Sequence, residues 1–196
     1  GRCTAIVLAA GQGKRMHSKI QKQFLEIGEK PVLYYSLHCF QESPLIRDII
    51  LVTGADMISY CKEKIVEKYG FTKVSRITAG GKERYDSVYA GLLCCQDTDY
   101  VYIHDGARPF INADIIQRGY EAVKDTGACV IGMPSKDTVK LADSSGYIKE
   151  TPDRRIVWNI QTPQIFSYNL IREAYESIHK KDMTGVTDDA MVVEQE

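Results

Sequence analysis

Thr4-Ala5-Ile6-Val7-Leu8-Ala9-Ala10-Gly11-Gln12-Gly13-Lys14-Arg15-Met16, with Lys19 and Lys22 close behind, is the stretch on which the fold turns. Its first half is apolar without alternation, which suits a strand covered on both faces, as in a parallel sheet. Its second half is a loop of small residues leaving the carboxyl end of that strand, where ligands bind in open α/β sheets. Small residues let backbone N–H groups approach phosphate oxygens, and the basic residues supply compensating charge. A tight turn with solvated lysines is the alternative reading of the loop alone. Two better-known phosphate motifs do not fit. A dinucleotide fingerprint needs a third glycine where Met16 stands, and an acidic residue closing the second strand, which instead ends Val52-Thr53-Gly54. A P-loop needs Gly-Lys followed by Ser or Thr, which is absent here.

Outward from this stretch, β and α patterns alternate. The fold class they predict is α/β, a Rossmann-like, mostly parallel sheet covered by helices on both faces. Strands are expected at Thr4–Leu8, Asp48–Thr53, Val74–Thr78, Tyr100–Ile103 and Ala128–Met133. Helices are expected from Pro31 to Gln41 and over Ile58–Lys68, Arg84–Cys95, Ala113–Lys124 and Tyr168–Ile178. Residues 135–158 break the rhythm. Their turn cluster Asp143-Ser144-Ser145-Gly146 lies between Thr138–Leu141 and Tyr147–Lys149, a pattern for a projecting β-arm. The whole chain of 196 residues reads as one domain.

Composition narrows the function. Hydrophobic residues make up 44% and charged residues 26%, with a formal net charge of −1. That balance gives no field for nucleic acid or an anionic membrane, so any polyanionic ligand must meet local positive charge. The six cysteines form no C-x-x-C pair and no histidine clusters beside them. They read as small hydrophobes in a reducing, cytoplasmic setting rather than as zinc ligands. No apolar run is long enough to span a bilayer, and no signal-peptide pattern opens the chain.

Three further motifs leave predicted strand ends or turns. Gly80-Gly81-Lys82-Glu83-Arg84-Tyr85-Asp86-Ser87 joins a strand to a helix. The backbone at its glycines could read a flat base edge and Ser87 could add a hydroxyl, although a plain strand–helix turn has the same pattern. His104-Asp105-Gly106-Ala107-Arg108-Pro109 places Asp105 where a carboxylate contacts a magnesium-bound phosphate or a hydroxyl, or else caps a turn. His104 reads as a packed, hydrogen-bonded histidine. In Asp153-Arg154-x-x-x-Trp158-x-x-Gln161-Thr162-Pro163-Gln164, Arg154 offers a planar fork and Thr162 a hydroxyl suited to a second phosphate. A surface ion pair is the alternative for Arg154.

Taken in order, Ala9-Ala10-Gly11-x-Gly13-x-Arg15-Met16, Lys22-Gln23-Phe24-Leu25, Gly80-Gly81-x-x-Arg84-x-x-Ser87-Val88, His104-Asp105-x-Ala107-Arg108-Pro109 and Thr187-Asp188-Asp189-Ala190 resemble the 2-C-methyl-D-erythritol 4-phosphate cytidylyltransferase family over nearly the whole chain. Gln21 departs from the family's usual proline. The resemblance implies a nucleotidyltransferase domain that joins CTP to 2-C-methyl-D-erythritol 4-phosphate for non-mevalonate isoprenoid synthesis. It implies that Arg15 and Lys22 are catalytic and stabilise the triphosphate and the transition state. CTP would be bound by Ala9, Ala10, Gly11, Gly13, Gly81 and Ser87. The acceptor would be held by Asp105, Arg108, Thr138, Arg154 and Thr162, with Mg2+ near Asp105. The arm would reach a partner subunit, making a homodimer. The family continues past the position of Glu196 to an Asn-x-Lys-x-Thr strand. Competing expectations are another polyol phosphate such as ribitol 5-phosphate as acceptor, or a non-catalytic nucleotide-binding homologue.

Overall fold

β1 (Cys3–Ala9) is buried at every residue and lies inside a six-stranded sheet. The computed structural model describes residues 1–11, 20–179 and 189–194. β2 (Ile46–Thr53), β3 (Val74–Ala79), β4 (Tyr100–Asp105), β5 (Ala128–Pro134) and β6 (Trp158–Ser167) complete the sheet in the order β3-β2-β1-β4-β6-β5. β1 pairs in parallel with both β2 and β4, and β2 with β3. β6 runs antiparallel between β4 and β5. The sheet is Rossmann-like and mostly parallel, as the apolar runs predict. The chain moves outward from β1 to β3 and then crosses to β4, so the switch point lies between the carboxyl ends of β1 and β4.

Helices cover both faces because successive side chains of a strand point opposite ways. Ala5, Val7 and Ala9 face α1 (Val32–Glu42) through Leu33, Leu37 and Phe40, and the same core takes Ile116 and Val123 of α4 (Ala113–Thr126). Ile6 and Leu8 face the other way, toward Val88 and Leu92 of α3 (Arg84–Cys94) and Ile171 and Tyr175 of α5 (Tyr168–Ile178). Each buried Val, Leu, Ile or Phe side chain among these contributes about 1.5–3 kcal/mol by leaving water. α4 starts where the Asn112 side chain accepts the Ile115 N–H at 2.9 Å. It stops at Gly127, whose φ of +76° is strained for residues with a Cβ.

Three features differ from the expectations. The helix anticipated over Ile58–Lys68 is helical throughout, but after α2 (Ile58–Cys61) it widens to a π-helix over Lys62–Glu67 before returning to α-helix at 68–69. No strand was expected at Trp158–Ser167, yet β6 is the longest in the sheet at 10 residues. Pro163 hides it, because proline cannot donate to a ladder; it is accommodated where the register with β5 shifts between Gln161 and Gln164. The pairing within the arm is also shorter than the turn pattern suggests: Leu141–Ala142 pairs antiparallel with Ile148–Glu150. Asp143 closes that turn by accepting the Ser145 and Tyr147 N–H groups at 2.9 and 3.0 Å. A 3-10 turn at Arg154–Ile156 then leads back into β6.

Near the C-terminus, α6 (Asp189–Glu194) packs against α5. Thr187 of the motif that opens this helix lies outside the described residues, as do Gly13 and Arg15. All six thiols are free, and burial pushes Cys3 up to about 11 and Cys95 to about 12, so these two sulfurs pack rather than react. Among the described residues no helix is long and apolar enough to cross a membrane.

Candidate functional site

A cleft of about 350 Å³ opens at the switch point between β1 and β4. Its walls come from three strand ends: the loop after β1, the turn into α3, and the loop after β4. Ala10, Gly11, Lys22, Gly81, Ser87, Asp105 and Arg108 line it, so both expected CTP-side and acceptor-side residues meet in one place. Ala9 sits just behind, buried as the last residue of β1. Thr138 and Arg154 do not line this cleft; both are exposed on the arm, where Arg154 Nη1 donates to the Lys136 carbonyl at 3.0 Å.

Lys22 owes its place to a neighbour the sequence reading left without a role. It opens a 3-10 turn, Lys22–Phe24, in which Gln23 is 96% buried (4% exposed). The Gln23 side-chain amide donates to the Ala9 carbonyl at 2.8 Å and the Gly11 carbonyl at 3.1 Å. The turn is thereby fastened to the end of β1, and the lysine travels with it. The signal in the sequence is slight: one amide between a lysine and an apolar pair, with nothing to say that it points inward.

Across the cleft, Gly80 lets two walls touch. A Cβ there would meet the Ser87 hydroxyl and, at 2.8 Å, the Ala10 Cβ. Its N–H is also held by the Thr53 carbonyl at 2.8 Å, so the backbone cannot back away. α3 follows, with Asp86 accepting the Glu83 N–H at 3.0 Å, which fixes the direction in which Ser87 enters the cleft.

Asp105 stands between two guanidinium groups. Arg84 Nε approaches one carboxylate oxygen at 3.3 Å and Arg108 Nε the other at 3.4 Å. Arg84 belongs to the glycine motif, but its role could not be read before β4 and α3 were brought together. Arg108 also donates to Gln161 Oε1 of β6. Behind this row lies His104, 1% exposed. Burial pushes its ring down from 6.5 to about 4, against the opposing pull of the Arg108 carbonyl and the Asp105 charge. Its Nε2 is 2.9 Å from the Arg108 carbonyl and its Nδ1 is 2.9 Å from the Thr162 hydroxyl. A ring so buried and so bonded matches the packed histidine expected from sequence.

The donor set bears on a metal. Among the described residues no group of three His, Cys, Asp or Glu side chains could hold an ion. Glu83 and Asp105 are the carboxylates lining the cleft. That chemistry fits a magnesium ion that arrives on phosphate oxygens, with few or no protein ligands, rather than a protein-built cage.

A mostly parallel, Rossmann-like sheet with glycine-walled and cationic strand ends at its switch point has the features of a nucleotide-binding α/β domain. The chain belongs to the 2-C-methyl-D-erythritol 4-phosphate cytidylyltransferase family, whose model matches residues 3–196. It is 53% identical over 193 residues to the enzyme of that name from Lachnospira eligens, covering 98% of this chain and 85% of the relative. The Lachnoclostridium phytofermentans enzyme is 52% identical, over 98% of this chain and 82% of the relative. Among solved structures, 4-diphosphocytidyl-2C-methyl-D-erythritol synthase from Anaerococcus prevotii superposes with a TM-score of 0.87 at 33% identity, covering 99% of this chain and 82% of that one.

Proposed function

We propose that this cleft transfers a cytidylyl group from CTP to 2-C-methyl-D-erythritol 4-phosphate, giving 4-diphosphocytidyl-2-C-methyl-D-erythritol and pyrophosphate, a step of isoprenoid precursor synthesis. The observation that carries it is the meeting of a glycine-walled pocket at Gly81 and Ser87 with Lys22, Arg84 and Arg108 in one cleft, in a chain of this family. The glycine side takes cytosine and ribose, with Ser87 supplying a hydroxyl. The loop Ala9-Ala10-Gly11-x-Gly13 takes the triphosphate. Asp105 and Arg108 take the acceptor.

The acceptor phosphate attacks the α-phosphorus of CTP in line, forming a P–O bond as the bond to pyrophosphate breaks. Its second pKa is about 6, so it is mostly dianionic at neutral pH and needs no strong general base. His104 is accordingly no base: it is buried and both ring nitrogens are engaged. The barrier is set by repulsion between polyanions. Lys22 and Arg15 counter it as charge develops on the α-phosphate and the leaving group. Magnesium, carried on the phosphates close to Asp105, would add Lewis-acid charge stabilisation. Pyrophosphate release from CTP should depend on 2-C-methyl-D-erythritol 4-phosphate. Release with ribitol 5-phosphate instead would reassign the acceptor, and no release with any polyol phosphate would favour a non-catalytic nucleotide-binding role.

The site is completed by a second copy of the chain, forming a homodimer. Two observations support this. Thr138 and Arg154 stand away from their own cleft, on the arm. The surface at the root of the arm is apolar and open, with Met133, Trp158 and Ile160 53%, 54% and 42% exposed. In the dimer the partner's arm brings its arginine and threonine to the acceptor phosphate. Arg154→Ala should therefore weaken the polyol phosphate about tenfold or more, through loss of a charge-assisted contact, while CTP binds nearly as before. Separate titrations of the two ligands check this, and equal losses would refute it.

A further inference from the structure

We infer that Arg84 is a positioning residue for the acceptor: reaching across from the nucleotide wall, it holds one oxygen of the Asp105 carboxylate and so aims the group that meets the polyol. The inference deepens the functional reading above and rests on it for its ligand titrations, while one spectroscopic test stands apart.

Local physics does not explain an arginine at this position. Arg84 is the first residue of α3, where the helix dipole favours an anion and opposes a cation. The two acids nearest in sequence cap the helix: the carboxylates of Glu83 and Asp86 each accept the other's backbone N–H. They fix the direction in which the first turn of α3 enters the cleft, and Arg84 is carried with it. The partner that suits its charge stands 21 positions further on. Arg84 Nε donates to an Asp105 carboxylate oxygen at 3.3 Å, from the start of α3 to the end of β4. A residue that breaks a local rule and is compensated across a cleft is the mark of a functional constraint.

The geometry shows what this contact does. Arg108 Nε lies 3.4 Å from the second Asp105 oxygen, so each oxygen faces one guanidinium and the plane of the carboxylate is set. A carboxylate has about four lone-pair sites, so Asp105 keeps capacity for the hydroxyl hydrogens of a polyol. Charge points the same way. Asp105 and Arg108 alone cancel, whereas Arg84 leaves one positive charge in excess where a phosphate dianion has to approach. The Arg84 and Asp105 side chains are 27% and 30% exposed, so water screens the pair less than it screens one on the open surface. The mount is also firm: a Cβ at Gly91 would lie 2.6 Å from the Ile6 side chain, so α3 sits directly on β1. An arginine from the motif that reads as nucleotide-binding thereby serves the acceptor.

The test titrates 2-C-methyl-D-erythritol 4-phosphate in the presence of a CTP analogue whose α and β phosphorus atoms are joined by methylene, which binds without transfer. Arg84→Met should weaken the acceptor about tenfold or more, by loss of a charge-assisted contact, and leave the affinity of the analogue unchanged. Arg84→Lys, which keeps the charge but not the planar fork, should recover part of the loss. In an Asp105→Asn background Arg84→Met should add little, because both changes cut the same link. The melting temperature should not fall in Arg84→Met, since the helix dipole opposes the arginine. Unchanged acceptor affinity, a loss as large for the analogue, losses that multiply in the double variant, or a drop in melting temperature would each overturn the inference. A wild-type chain that does not bind this acceptor at all would instead refute the functional reading. The hold on Asp105 is then decided by nitrogen-15 spectra: the Arg84 Nε–H resonance, assigned by its loss in Arg84→Met, should shift in Asp105→Asn, and a signal indifferent to that change overturns it.

Discussion

Lys22→Ala is expected to lower kcat at least about a hundredfold while leaving the fold intact. Removing one preorganised donor aimed at developing charge costs on the order of 3–4 kcal/mol in the barrier. A hundredfold is about 2.7 kcal/mol of that, so the estimate allows for water or Arg15 filling part of the gap. The lysine is suited to this role by the way it is mounted. It is exposed at the cleft wall, yet its turn is fastened to β1 through the buried Gln23 amide and the carbonyls of Ala9 and Gly11. A charge held in this way needs little reorganisation when the transition state forms. The substitution leaves Gln23 in place, so the melting temperature should barely move. Steady-state kinetics with a thermal melt check both halves, and turnover near the wild-type rate would remove Lys22 from the mechanism.

Gly80→Val should have a comparable effect by a different route. The branched side chain would press into the Ser87 hydroxyl and the Ala10 Cβ, one from each wall of the nucleotide pocket. The N–H bond to the Thr53 carbonyl blocks retreat, so the walls themselves must separate. Overpacking of this sort costs about 1–3 kcal/mol of stability. A displacement of the reacting groups by about 1 Å costs on the order of a hundredfold in rate. CTP affinity measured by titration should fall together with kcat. A variant that binds CTP normally would show that the two walls do not need their contact.

The sequence announced much of the scaffold because its signals are local. Ala5 to Leu8 reads as a strand covered on both sides and is buried throughout; of Val88, Leu92 and Cys95, whose spacings of four and three mark one helical face, the first two are buried and Cys95 is half-buried at the helix end. The helix at Tyr168–Ile178 lies where its periodicity puts it. β6 escaped notice because its register depends on two neighbours distant in the chain, and Pro163 interrupts the pattern that would reveal it. The site divides in the same way. Glycines and cations at strand ends were legible as a phosphate locus. That Gln23 turns inward, that Arg84 meets Asp105, and that the Thr162 hydroxyl is engaged by His104 depend on side chains meeting across 14, 21 and 58 positions of sequence. No motif spacing encodes a hydrogen-bond direction.

β6 spends its first residues, Trp158 to Ile160, exposed beside the arm and its last, Gln164 to Phe166, in the core, with the bulge as the joint between them. The exposed arm side and the framework that seats Asp105 are thus two ends of one continuous strand, linked to the cleft through Gln161 and Thr162.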